Sequence, residues 1–122
     1  MFETSYEEFE QIVADVIESL PEAFREKLDN VEVVVEDYPP REILRRLPRG
    51  RLLLGLYQGV PHKRRTTRYG LVLPDKITLF KKNIESISYS SADIFKNIRR
   101  TLLHEIGHHF SLSDKDLRDI GW

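Results

Sequence analysis

The chain contains no cysteine. Disulfides and thiolate metal sites are therefore excluded, and any metal ion must be bound by histidine, aspartate or glutamate. Charge of one sign is also lacking, because 19 Lys and Arg residues face 20 Asp and Glu residues. Such a balance gives no overall attraction toward nucleic acid or an anionic membrane, so we expect neither as a partner.

Long apolar runs are missing as well. No stretch approaches the roughly 20 apolar residues that span a bilayer. The N-terminal residues 1–8 are acidic and lack the apolar segment of a signal peptide, which predicts a cytoplasmic protein. Hydrophobic residues make up 40% of the 122 positions, enough for one folded domain over residues 1–122.

The apolar pattern predicts an α+β domain with an N-terminal helix and a small mixed sheet of three to four strands. Ser5 and Glu8 form a capping box at the start of that helix, and a second short helix is expected over residues 22–28. The segments with the composition of strands are residues 31–36, 52–57, 71–73 and 77–80.

A long C-terminal helix is predicted to begin at Ser90 or Ser91 and to run to about His109. Lys96 and Arg100 should face water. The apolar residues of this helix recur at helical spacing and should pack on the sheet: Phe95, Ile98, Leu102, Ile106 and Phe110.

The last turns of this helix contain the sequence His-Glu-Ile-Gly-His at residues 104–108. A shuffled chain of this composition would contain His-Glu-x-x-His only about 0.01 times, so the motif is informative. At about 100° per residue, His104 and His108 lie one turn apart on one helix face and can bind a single Zn²⁺ ion. Glu105 lies beside them, close enough to act on a metal-bound water but turned away from direct ligation.

A catalytic zinc site needs three protein ligands and one open position. Asp114 follows His108 by six residues, and the intervening residues can leave the helix and turn back, so we predict Asp114 as the third ligand. An alternative role for Asp114 is that of an acidic residue at the start of a last short helix, next to a capping Ser113. For His109 we predict a packing or supporting role.

The motif region, residues 101–110, resembles that of the small bacterial zincin-like metallopeptidase family. The likeness extends back through residues 73–80 and forward through residues 112–114, and covers roughly residues 51–118. This resemblance implies a zincin-like fold with a zinc site, and His104, His108 and Asp114 as the zinc ligands.

Two functions of different classes follow. The first is a zinc-dependent peptidase acting on a peptide or protein substrate, in which Glu105 takes a proton from a metal-activated water and passes it to the leaving amine. An extended peptide would then pair with an exposed strand edge, for which residues 76–80 are the candidate. The second is a non-catalytic binding or structural domain stabilised by metal, which would need a fourth protein ligand to close the site.

A third function, binding of RNA or DNA, would use the basic loop of residues 62–68. That loop has no interleaved aromatic residues, so a solvated loop is the better interpretation. The sequence offers several donors that could hydrogen-bond a transition state but does not choose among them: Tyr6, Tyr38, Tyr57, Tyr69 and Tyr89.

Overall fold

The computed structural model describes residues 1–59 and 74–110. Its first helix, α1 (Tyr6–Ser19), begins at the predicted capping box. The hydroxyl of Ser5 accepts from the backbone N–H of Glu8, and the Glu8 carboxylate accepts from the backbone N–H of Ser5. The short helix α2 (Glu22–Lys27) follows, with Pro21 at its N-cap.

The sheet contains three strands within the described residues, namely β1 (Val31–Glu36), β2 (Gly55–Gln58) and β3 (Asp75–Phe80). Their order is β1-β3-β2, with β1 parallel and β2 antiparallel to β3. This is the predicted small mixed sheet. A four-residue helix, α3 (Arg41–Leu44), lies between β1 and β2 in the chain. The predicted strand at residues 71–73 lies outside the described residues.

The prediction that residues 76–80 form an exposed strand edge is wrong. Strand β3 is the central strand and is hydrogen-bonded to a neighbour on each side. Both of its faces are covered, because Ile77, Thr78, Leu79 and Phe80 are all buried. A run of four buried residues is typical of a central strand, whereas an edge strand with one wet face alternates.

Two helices complete the described part of the chain. Helix α4 (Lys81–Ser86) follows β3 directly, in a segment for which the sequence predicted no element. Helix α5 (Ser91–His109) has Ser90 as its N-cap, and the Ser90 hydroxyl accepts from the backbone N–H of Asp93. The start and the length of α5 therefore agree with the prediction.

The hydrophobic core lies between the helices and the sheet. Helix α5 packs against α1, β2 and β3. The predicted apolar stripe is its inner face, since Ile98, Leu102 and Ile106 are fully buried, and Phe95 and Phe110 pack at the border of the core. Within residues 1–59 and 74–110, no helix combines the length and the apolar character needed to cross a membrane.

A buried ionic cluster joins the N-terminal segment to α4. The Glu85 carboxylate accepts from the backbone N–H of Thr4 at 2.6 Å, from the Thr4 hydroxyl at 2.8 Å and from Lys81 Nζ at 3.0 Å. Lys81 Nζ also donates to the carbonyl oxygen of Thr4 at 2.6 Å. Burial raises the pKa of Glu85, but the hydrogen bonds from Lys81 and Thr4 and the charge of Lys81 together bring that pKa below its usual value.

Candidate metal centre

The two motif histidines lie one turn apart on an exposed face of α5. The ring centroids of His104 and His108 are 4.5 Å apart and the rings are inclined by 37°. Both side chains are exposed to solvent. Two imidazoles placed this way have the chemistry that Zn²⁺ prefers. The structure thus brings together the two predicted ligands that it describes.

The third predicted ligand, Asp114, lies outside the described residues. Among residues 1–59 and 74–110, no three His, Asp or Glu side chains form a cluster that could hold a metal ion. Asp114 keeps the role of third ligand as a prediction.

Glu105 lies between the exposed histidine face and the protein interior. Its side chain is 18% exposed, and its Oε2 is 3.7 Å from His109 Nε2. A carboxylate in this position is neither enclosed by the core nor fully solvated. It remains accessible to a substrate at the helix surface, as a general base must be.

His109 packs on the sheet by ring stacking. Its imidazole lies parallel to the Tyr57 ring, with centroids 4.2 Å apart and planes inclined by 14°. The Phe110 ring meets the same tyrosine edge-on at 5.7 Å, and the Tyr57 hydroxyl donates a hydrogen bond to Asp75. This is the packing role predicted for His109, and it joins the end of α5 to β2 and β3.

Tyr57 and Asp75 are the residues near the motif that the sequence did not single out. Tyr57 is one of the five tyrosines that the sequence does not choose among, and the sequence predicts no role for Asp75. Tyr57 is largely buried and stacks on His109, whereas Tyr6 donates to Asp37 and Tyr89 is exposed. Their importance depends on β2 lying against α5, which no local sequence signal reveals.

Gly55 allows β2 to lie this close to the motif helix. A Cβ atom at this position would lie 2.6 Å from Cγ2 of Thr101 and 3.2 Å from the carbonyl oxygen of Thr78. Carbon atoms do not approach to 2.6 Å without displacement, so only glycine fits between α5 and β3 here. Thr101 itself is fixed, because its hydroxyl donates to the carbonyl oxygen of Asn97 at 2.7 Å.

A groove of about 210 Å³ lies next to the motif. One wall is formed by residues 51–55, the segment that leads into β2. The other wall is formed by α5 through Arg100, Thr101, His104 and Glu105. One proposed zinc ligand and the proposed general base therefore both line the groove.

Comparison with known proteins identifies the family. A family model described as zincin-like metallopeptidase matches residues 28–122. The chain belongs to this zincin-like metallopeptidase family. The match confirms the resemblance inferred from the motif and extends it toward the N-terminus, over β1. At the level of the family it supports a zinc metallopeptidase.

The fold is also found in a solved structure, that of a conserved hypothetical protein from T. thermophilus. It is 27% identical, with a TM-score of 0.57, and the match covers 88% of this chain and 94% of that one. The likeness supports the zincin-like α+β fold. No curated protein matches the chain.

Proposed function

We propose that this protein is a zinc-dependent peptidase that hydrolyses peptide bonds, with Glu105 as general base. The observation that carries the proposal is the position of Glu105. It lies next to two imidazoles on an exposed helix face and lines a groove. Membership of the zincin-like metallopeptidase family supports the same reaction class.

The residues present fit a zinc ion. His104 and His108 would supply two ring nitrogens from one face of α5, and Asp114 would supply a carboxylate oxygen. This donor set leaves one position open, as catalytic zinc sites require. When bound, zinc supplies Lewis-acid activation of water and of the scissile carbonyl.

Glu105 would move the proton. Its carboxylate takes a proton from the attacking water and delivers it to the amine that leaves. The position of Glu105 is set by α5. The next residue on this helix, Ile106, is buried in the core and fixes the inner face of the helix. On its outer side, Oε2 of Glu105 lies 3.7 Å from Nε2 of His109.

The groove between residues 51–55 and α5 would receive a side chain of the substrate. It replaces the edge of β3 proposed from the sequence, which is covered on both sides. His104 and Glu105 line the groove, so the peptide bond next to a side chain held there would meet the proposed general base.

Glu105→Gln tests the proposal, because glutamine has the same shape and no basicity. The variant should keep its zinc and its fold, and should hydrolyse peptides at least about 10²-fold more slowly than wild type. Zinc content by elemental analysis and cleavage of a diverse peptide library measure the two properties. If wild type and variant bind zinc equally and neither cleaves any peptide, the metal-stabilised binding domain is the better description.

Two further expectations from the sequence stay predictions. They are a cytoplasmic location and the absence of a nucleic-acid partner. The basic loop of residues 62–68, on which nucleic-acid binding would depend, lies outside the described residues.

A further inference from the structure

The groove beside the motif carries two positive charges. Arg51 stands at the start of the wall that leads into β2, and Arg100 projects from α5 on the opposite wall. Both side chains are exposed. Arg100 was expected to face water, and it does so at the rim of this groove.

Neither arginine is neutralised within the described part of the chain. No ion pair and no side-chain hydrogen bond joins either guanidinium to another residue among residues 1–59 and 74–110. Glu105 is the one carboxylate from those residues that lines the groove. An arginine without a partner presents five donors in a planar fork that matches a carboxylate.

We propose that Arg51 and Arg100 select substrates with an aspartate or glutamate side chain near the bond that is cleaved. This inference rests on the peptidase function proposed above. Both residues line the groove, so a carboxylate held there would be attracted by both positive charges. A lysine or arginine side chain at the same place would be repelled by both.

The distance from the motif sets the position of the acidic residue. Arg100 precedes His104 by one turn of α5, about 6 Å along the helix axis. An extended peptide advances about 3.3 Å per residue. The selected side chain therefore lies within about two residues of the scissile bond.

The size of the groove fits a single side chain. Its volume of about 210 Å³ is below the roughly 300–1,000 Å³ of sites that enclose a whole small-molecule ligand. Leu53 and Leu54 in the same wall are partly buried and would contact the apolar part of a glutamate or aspartate side chain. The groove thus offers one apolar surface and two positive rims.

The test compares matched peptides that differ only in glutamate, glutamine or lysine at each position around the cleaved bond. For the zinc-loaded wild type, kcat/KM should favour glutamate over glutamine about tenfold at low salt, and the preference should fall as salt screens the charges. Arg51→Gln and Arg100→Gln should each reduce the preference about threefold, and the double variant should abolish it. Arg99→Gln is the matched control, because it removes the same charge from the neighbouring residue outside the groove.

A second measurement does not depend on turnover. The zinc-loaded Glu105→Gln protein is titrated with the same fluorescent peptides, and binding is followed by anisotropy. Tighter binding of the glutamate peptides that is lost in the arginine variants supports the inference even if no peptide is ever cleaved, in which case only the peptidase proposal fails. The inference is overturned if neither cleavage nor binding distinguishes glutamate from glutamine peptides. It is also overturned if Arg99→Gln reduces the preference for glutamate as much as Arg51→Gln and Arg100→Gln do. Absence of any peptide binding to the Glu105→Gln protein also overturns it.

Discussion

The two helices that follow β3 use glutamate in opposite ways. In α4, Glu85 is fully buried and its carboxylate is held by Lys81 and by the backbone and hydroxyl of Thr4. In α5, the Glu105 side chain is 18% exposed and has a 3.7 Å contact with His109. Burying a charged carboxylate is costly unless its neighbours hold it. The bonds to Glu85 all reach Oε2; within the described residues its buried Oε1 has no hydrogen-bond partner and lies 3.7 Å from Lys82 Nζ. Glu85 is closed off from solvent, whereas Glu105 is partly exposed.

The same contrast holds for the groups around each glutamate. At α4 the donors are Lys81, one turn earlier on the same helix, and Thr4 from the N-terminal segment, and they enclose the charge of Glu85. At α5 the neighbours His104 and His108 are exposed and point away from the core. We conclude that α4 joins the N-terminal segment to the domain, while the last turns of α5 expose His104 and His108 to solvent.

The largest expected effect comes from removing one partner of the buried pair. Glu85→Ala leaves the Lys81 ammonium buried without its carboxylate, which should lower the free energy of unfolding by about 3–5 kcal/mol. Denaturant unfolding measures this loss. Glu105→Gln, in the last turns of α5, should change the same quantity by less than about 0.5 kcal/mol. If the two variants were equally destabilised, the contrast between a structural Glu85 and a Glu105 that does not stabilise the fold would be wrong.

A double variant tests whether the loss of stability comes from the unpaired charge of Lys81. Replacing both charges, as in Lys81→Met with Glu85→Met, removes the unpaired charge and should recover most of the stability lost in Glu85→Ala. A double variant as unstable as Glu85→Ala would show that the apolar replacement cannot pack at this site.

The next largest effect concerns zinc binding at the motif of α5. If Asp114 is the third ligand, Asp114→Ala should weaken zinc binding by about 100-fold or more, because a two-histidine site lacks the ligand number that zinc requires. Competition with a chelator of known affinity measures the change. Asp116→Ala is the control and should retain wild-type affinity. Equal zinc affinities of the two variants would assign the third ligand to another residue.

A substitution at Gly55 tests whether the groove beside the motif depends on the close approach of β2 to α5. Gly55→Ala places a methyl group against Thr101 and should cost about 1–3 kcal/mol of stability, as overpacked positions do. It should also lower peptide hydrolysis, because residues 51–55 form one wall of the groove. In Gly59→Ala the added Cβ would have its nearest neighbours at 3.8 Å, an ordinary contact, so stability and activity should stay close to wild type.

The smallest expected effect is the pH dependence of the stability that the buried Glu85 contributes. The pKa of Glu85 is lowered in the folded protein from its ordinary value of 4.5. The stabilisation from this group is therefore complete above the unfolded-state pKa and is lost as pH falls through the folded-state pKa. Thermal unfolding between about pH 6 and pH 3 should show a steeper decrease for wild type than for Glu85→Gln. Parallel curves would mean that Glu85 does not titrate in this range.

Local signals explain what the sequence could predict. The capping box at Ser5 fixes the start of α1, and the capping Ser90 followed by apolar residues at helical spacing fixes α5. The positions of His104 and His108 on one face follow from helix geometry alone. Each of these features depends on residues that are near one another in the chain.

The features that the sequence did not predict depend on distant residues. Helix α4 contains Lys81 and Glu85 where an amphipathic helix has apolar residues, and they are buried because Thr4 reaches them from the N-terminal segment. The central place of β3 depends on its pairing with β1 and β2. The stack of Tyr57 on His109 needs β2 to lie against α5 first.

The parallel pairing of β1 with β3 has a consequence for how the protein folds. In this pairing Val31 lies opposite Asp75, so the chain must close a loop of about 44 residues before the two strands meet. Pairings of such sequence separation form slowly, whereas a helix forms from neighbouring residues. The two motif histidines need only α5, but the groove wall needs the finished sheet. During refolding we therefore expect the histidine pair to be assembled before the surface that would hold a peptide beside it.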